Sequence, residues 1–74
     1  MAEAYKYEVG KEEHIKMLKE RIDGCTRGIF GLSLDASAAQ TAGNTKNAAS
    51  IEKALADTMK QKAAYDQQLA DILK

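Results

Sequence analysis

Residues 24–44 read GCTRGIFGLSLDASAAQTAGN, and the conformation of this stretch decides the architecture of the chain. It holds four of the five glycines, although the sequence on both sides of it has a helical pattern. The stretch is therefore either a long loop or part of a helix whose glycines serve packing. The segments that flank it favour the helix.

Apolar residues before and within this stretch recur at alternating steps of three and four, which is the a/d pattern of a heptad repeat. They are Ile15, Leu18, Ile22, Cys25, Ile29 and Leu32. Because such residues share one stripe of a helix, the pattern predicts an amphipathic helix from residue 11 onward. Charged residues occupy the outer face of this predicted helix.

A second heptad pattern runs from about residue 45 to residue 73 and contains two polar members. Its members are Ile51, Leu55, Thr58, Lys62, Tyr65, Leu69 and Ile72. Beside it lies an alanine stripe that repeats every seven residues, formed by Ala49, Ala56, Ala63 and Ala70, and Met59 widens this apolar surface. One stripe can serve the partner helix while the other serves a neighbouring chain.

The sequence between the two patterns predicts a reversal near Gly43–Asn44. Gly43 suits a left-handed residue that ends one helix, and Asn44 or Thr45 can cap the next. An antiparallel arrangement then pairs positions whose numbers sum to 87. The pairs include Ile15 with Ile72, Leu18 with Leu69, Ile22 with Tyr65, Ile29 with Thr58, and Leu32 with Leu55. We therefore predict an all-α, coiled-coil-like antiparallel two-helix hairpin over residues 11–74.

Three glycines leave open whether the first helix is continuous. Gly24, Gly28 and Gly31 lie on one side of it, and each costs about 1 kcal/mol relative to alanine. In one alternative the helix is continuous, and the glycines form a groove that another backbone, such as the alanine stripe, approaches closely. In the other the helix breaks between Gly28 and Ser33 and restarts at a cap formed by Ser33 or Asp35.

The first ten residues predict a short extended N-terminal arm. Tyr5, Tyr7 and Val9 alternate with charged residues, and Gly10 ends the pattern. A single strand has no sheet to join within a helical hairpin. Three alternatives remain for this arm: pairing with the arm of another chain, lying in a groove between helices, or disorder.

The amino-acid composition limits the classes of function that the chain can have. Eleven basic residues balance eleven acidic ones, so the electrostatic footprint of a general nucleic-acid binder is missing. Thirteen of the 33 hydrophobic residues are alanine, which leaves a small core for a 74-residue chain, and we expect homo-oligomerisation or binding to another protein. With one cysteine, no apolar span and no signal peptide, we expect a cytoplasmic protein, or one incorporated into an assembly made there.

The residue types needed for catalysis are sparse. His14 and Cys25 are the sole histidine and cysteine, and eleven residues of helix would separate them by about 16 Å. They therefore cannot form a dyad or share a metal within one chain. The sequence has no P-loop, dinucleotide-binding or EF-hand motif. We expect no enzymatic activity, no cofactor and no metal.

Thr58 and Lys62 interrupt the second apolar pattern, and three interpretations are open. Each polar group can be satisfied on its own helix, with the Lys62 ammonium reaching outward past the seam. Alternatively, the pair forms a polar layer that fixes register or subunit number. In the third interpretation, this section is weak so that it opens for a partner.

Three functions are compatible with these features. The leading hypothesis is a structural or adaptor protein whose hairpins self-associate, a style that suits a component of a larger assembly such as a virion. The alternative is a small regulator or inhibitor that presents Met17, Phe30 and Leu34 as helix-in-groove anchors. Nucleic-acid binding is the weakest hypothesis, because acidic residues are interspersed among the lysines. The residues assigned to self-association or partner binding are Tyr5, Tyr7, Val9, Met17, Phe30, Leu34, Ala49, Ala56, Met59, Ala63 and Ala70.

Overall fold

The computed structural model describes residues 9–74, which form two helices joined by a short turn. Helix α1 spans Lys11–Thr41 and helix α2 spans Thr45–Leu73. The two helices pack against each other as a rod of 49 × 22 × 17 Å. The predicted all-α hairpin is thus confirmed. Most of the predicted N-terminal arm, including Tyr5 and Tyr7, lies outside the described residues.

Helix α1 is continuous through the glycine-containing stretch. Ser33, considered above as the cap of a second helix, instead donates its hydroxyl proton to the Ile29 carbonyl at 2.9 Å. Thr26 donates to the Ile22 carbonyl in the same way at 3.0 Å. These bonds bind each hydroxyl to the preceding turn, and packing on α2 offsets the low helix propensity of glycine. The alternative with a break is therefore wrong.

The turn between the helices is closed by a Schellman motif. Gly43 has φ +78°, and its N–H donates to the Gln40 carbonyl at 3.0 Å. The N–H of Asn44 donates to the Ala39 carbonyl at 2.8 Å. Asn44 also begins α2, since its side-chain oxygen accepts from the Asn47 N–H at 3.2 Å. One residue thus ends the first helix and caps the second, which leaves little freedom in the reversal.

The register of the helices is visible in two cross-helix approaches. A Cβ on Gly28 would lie 3.8 Å from Thr58 Cγ2, which agrees with the predicted pairing of Ile29 with Thr58. Nearer the turn, Gln40 Nε2 donates to Glu52 Oε1 at 2.9 Å, and these two long side chains bridge an offset of about 7 Å along the rod, because their numbers sum to 92. The approach of Gly28 to Thr58, whose numbers sum to 86, agrees with a register in which residues whose numbers sum to about 87 lie at the same height.

The hairpin has a small core that is concentrated at its turn end. Among residues 9–74, the buried hydrophobic residues are Leu18, Ala36, Ala39 and Ala48. The radius of gyration is 16.3 Å, whereas a compact domain of this length would have about 11 Å. The chain is therefore a rod that excludes water poorly. Within the same residues, neither helix has an apolar stretch long enough to cross a membrane.

The turn generates a prediction about Gly43. Replacing Gly43 with alanine should lower the free energy of unfolding by about 1 kcal/mol, because a Cβ disfavours the left-handed conformation. Gly31→Ala is the matched control: Gly31 is helical, and a Cβ there meets nothing within 4 Å. That substitution should instead stabilise the chain by about 0.5–1 kcal/mol. Urea denaturation followed by circular dichroism measures both, and equal effects of the two substitutions would contradict this account of the turn.

Candidate interaction surfaces

The seam between the helices contains the ten residues that the sequence assigned to the hairpin interface. Leu18 is 4% exposed, and the other nine are half-buried. These nine are Ile15, Ile22, Ile29, Leu32, Ile51, Leu55, Tyr65, Leu69 and Ile72. Within residues 9–74, no large side chain is fully buried. The seam therefore forms an apolar strip, interrupted at Thr58 and Lys62, that remains partly open to water along most of its length.

The polar members of the seam make their hydrogen bonds within α2. Thr58 donates its hydroxyl proton to the Ala54 carbonyl at 2.9 Å. Lys62 reaches outward to the Asp66 carboxylate at 2.9 Å, with about a third of its side chain exposed. These bonds match the interpretation in which each polar group is satisfied on its own helix. The middle of the seam is consequently held by small and polar groups rather than by large aliphatic ones.

The three glycines lie on one flank of this seam, here called the glycine side. Only Gly28 faces α2 closely, because a Cβ at Gly24 or Gly31 would meet nothing within 4 Å. A shallow groove of about 330 Å³ opens beside Gly24, and Cys25 and Tyr65 contribute to its lining. Packing within the chain therefore requires neither Gly24 nor Gly31.

The opposite flank is identified by the hydrogen bond between Gln40 and Glu52, since heptad positions e and g lie on opposite sides of a seam. Moving one heptad along each helix from that bond places Ser33 and Met59 on the same flank. Phe30 is on this flank too, and because its number and that of Met59 sum to 89, the register puts the two at nearly the same height at the middle of the rod. We call this surface the Phe30 face, and we define it by Thr26, Phe30, Ser33, Ala56, Met59 and Ala63.

The Phe30 face is exposed, uncharged and easily dehydrated. Phe30 is 67% exposed and Met59 is 55% exposed. Both hydroxyl groups of this face, on Thr26 and Ser33, already donate to carbonyls of α1. A partner that covers the face would therefore leave no hydroxyl donor without an acceptor. An uncharged patch with two large apolar side chains is typical of a protein-binding surface.

The remaining candidate surface residues do not form a single patch. Leu34 is 57% exposed and lies on the outer edge of α1, opposite the seam. Met17 lies toward the glycine side, and exposed Val9 precedes the first residue of α1. Ala49 and Ala70 extend the alanine stripe beyond the Phe30 face toward the two ends of the rod and are exposed.

The geometry of the described residues offers little for chemistry. Within residues 9–74, no group of three or more His, Cys, Asp and Glu side chains has the spacing of a metal site. His14 is exposed and Cys25 is half-buried, and about 16 Å of continuous helix separates them. These two residues therefore cannot contact one small substrate together within a single chain.

Sequence reasoning missed the part that Thr26 and Ser33 play in the Phe30 face. Both occupy heptad positions beside the seam, where a hydroxyl can donate back to the carbonyl four residues earlier. That position in the repeat was the available signal. It also missed the bond from Gln40 to Glu52, because the register is needed to bring these two residues together.

No protein-family model, no curated protein and no solved structure matches this chain. The candidate surfaces are therefore defined by their own geometry: a half-buried seam, an uncharged Phe30 face and an open glycine side.

The seam generates a prediction about Lys62. Lys62→Leu should raise the free energy of unfolding by about 1 kcal/mol, since an apolar side chain would cover the seam at this position. The surface ion pair with Asp66 that is lost contributes about 0.5 kcal/mol or less. Lys60→Leu, an exposed position two residues away, is the control and should change stability by less than about 0.5 kcal/mol. A destabilised Lys62→Leu variant would show that the cation, rather than apolar contact, holds this layer.

Proposed function

We propose that this chain is a small non-enzymatic structural or adaptor protein that acts by self-association through an exposed side of its hairpin. The observation that carries the proposal is the exposure of Phe30 and Met59, two large apolar side chains that the register puts on one side of the rod, while residues 9–74 bury few hydrophobic residues. Association would remove these side chains from water and would cover the partly open seam beneath them.

The exposed area of the chain supports this proposal. The accessible surface is 5832 Å², whereas a compact monomer of 8.1 kDa would expose about 4,500 Å². Chains of this size commonly obtain further stability from disulfides, metals or oligomerisation. The single half-buried Cys25 cannot form a disulfide within the chain. The exposed apolar surface therefore favours oligomerisation as the source of this further stability.

The shape and charge of the rod suit a repeated component of a larger assembly, such as a virion. Its net charge is zero, so copies do not repel each other strongly when they are placed side by side. In this proposal the protein is made in the cytoplasm and acts there, or in an assembly formed there. Its activity consists of positioning other copies or partner proteins rather than converting a substrate.

A second candidate function is regulation or inhibition of a partner protein, and the exposure of two neighbouring side chains favours it. Phe30 and Leu34 are four residues apart on α1, and more than half of each is exposed. Anchors at this spacing are typical of a helix that binds in an apolar groove. The two functions differ in the number of copies that they require. A regulator can act as a monomer, whereas a self-associating protein needs a second copy of the chain.

Sedimentation velocity across a range of concentrations tests self-association. The purified chain should sediment as a dimer or larger species at micromolar concentration and should dissociate on dilution. Thermal melting of the same samples shows whether the chain is folded. A monomer that remains helical and melts cooperatively at every concentration would contradict self-association and would favour the regulator.

A further inference from the structure

We infer that the Phe30 face binds the same face of a second copy, about a two-fold axis parallel to the rod, with both turns at the same end. This inference rests on the proposed self-association and specifies its interface and orientation. The product is a four-helix bundle in which each α1 lies against the partner's α2. All neighbouring helices are then antiparallel, as in up-down four-helix bundles.

The distribution of charge along the rod favours the Phe30 face over the glycine side, whose Asp57 lies at mid-height. The glycine side carries exposed Arg21 and Asp35 from α1 and Asp57 from α2. A second copy on that side would have to desolvate or pair these charges. The six residues of the Phe30 face are uncharged, and the charged residues of the same side lie before and after this face along the rod; they include Lys19, Asp23, Glu52 and Asp66. Interfaces are depleted of charge at their centre and enriched in aromatic residues and methionine, which matches Phe30 and Met59.

The Phe30 face spans about 10 Å along each helix, so an interface of ordinary size has this face at its centre and extends over the whole side of the rod. A stable interface buries about 800 Å² on each partner, and a rod side 49 Å long and at least 17 Å wide offers this area. The shape of this side is also complementary to itself. Phe30 is a large side chain that projects from α1, whereas the alanine stripe on α2 has small side chains that leave room for it. A two-fold axis brings each projecting ring onto the partner's alanines, and it makes this contact twice.

Heights along the rod predict the individual contacts. Rotation about an axis parallel to the rod leaves the height of every residue unchanged. A residue of α1 therefore meets those residues of the partner's α2 whose numbers, added to its own, give about 87. Phe30 then meets the partner's Ala56 and the partner's Met59. Near the open end, Lys19 meets the partner's Asp66, which brings opposite charges together. Both lie at the heptad position that points toward the second copy.

The opposite orientation brings like charges together. With an axis perpendicular to the rod and centred on Met59, each α2 would lie on the partner's α2. Glu52 and Asp66 are each seven residues from Met59 along the chain, so Glu52 would then face the partner's Asp66. Two such carboxylate contacts would form. Lys62 of the same chain pairs with Asp66 in either arrangement, so the difference between them is that Asp66 gains a lysine in the first and a second carboxylate in this one. Charge complementarity therefore favours turns at the same end.

Phe30→Ala tests which face is used. This substitution should raise the dimer dissociation constant at least about tenfold, since an aromatic residue at the centre of an interface is a common hot spot. Gly31→Gln is the matched control, because it adds bulk to the glycine side at a helical position with open space around it. It should leave dimerisation within about twofold. Dissociation by Gly31→Gln with no effect of Phe30→Ala would overturn the inference.

Cysteine cross-linking tests the orientation. Single-cysteine chains are made in a Cys25→Ala background, so that every disulfide is intermolecular. Under mild oxidation, a mixture of Lys19→Cys and Asp66→Cys chains should form the mixed disulfide rapidly. A mixture of Glu52→Cys and Asp66→Cys chains should not. When both turns lie at the same end of the bundle, these two positions differ by about 20 Å in height along the rod. The reverse preference would overturn the parallel orientation.

These outcomes separate the inference from the proposed function. A chain that sediments as a monomer contradicts self-association itself. A dimer that survives Phe30→Ala, or that forms only the disulfide between positions 52 and 66, retains self-association and overturns the interface inferred here. Circular dichroism of each variant shows whether the hairpin is intact. Since Phe30 is two-thirds exposed, its removal should weaken the hairpin only through the lost association, so helical content should be retained at high chain concentration and should fall on dilution.

Discussion

The architecture depends on one apolar seam between two helices, and this seam is only half-closed. Its sole buried residue with a large side chain is Leu18, whereas the other buried positions of residues 9–74 are alanines near the turn. Alanine permits close approach of the helices but contributes little apolar area. Two helices also cannot surround a residue in the way that three or four helices can. A hairpin of this composition therefore retains apolar surface that a further helix pair would cover.

The turn converts this seam into defined surfaces. Gly43 and Asn44 end one helix and start the next within a few residues, so the register of the seam is set at the turn. That register brings Phe30 to the height of Met59 and leaves the glycine side on the other flank. A reversal displaced by one residue would move these side chains to different flanks, because each residue of a helix turns by about 100°. The character of each side thus follows from the position of the reversal.

Most of the fold was predictable from the sequence, because heptad spacing and a glycine–asparagine turn are local signals. The continuity of α1 was not, since propensity argues for a break at Gly28, whereas packing on α2 offsets this cost and the Ser33 hydroxyl bonds within α1 instead of capping a new helix. Phe30 and Met59 were recognised as surface candidates. Their position on one side of the rod at similar heights follows from the predicted register, but the sequence analysis did not draw this conclusion. The pattern of one sequence does not specify which surfaces of two copies meet, so contact with a second copy remains a proposal.

Thermal unfolding at different chain concentrations tests the central claim most directly. If the half-closed seam needs a second copy, native association couples to folding and the melting temperature depends on concentration. We expect the midpoint, followed by circular dichroism, to rise by several degrees over about a hundredfold increase in concentration. A midpoint that stays constant, with a cooperative transition, would show that one hairpin is stable alone and would contradict the account.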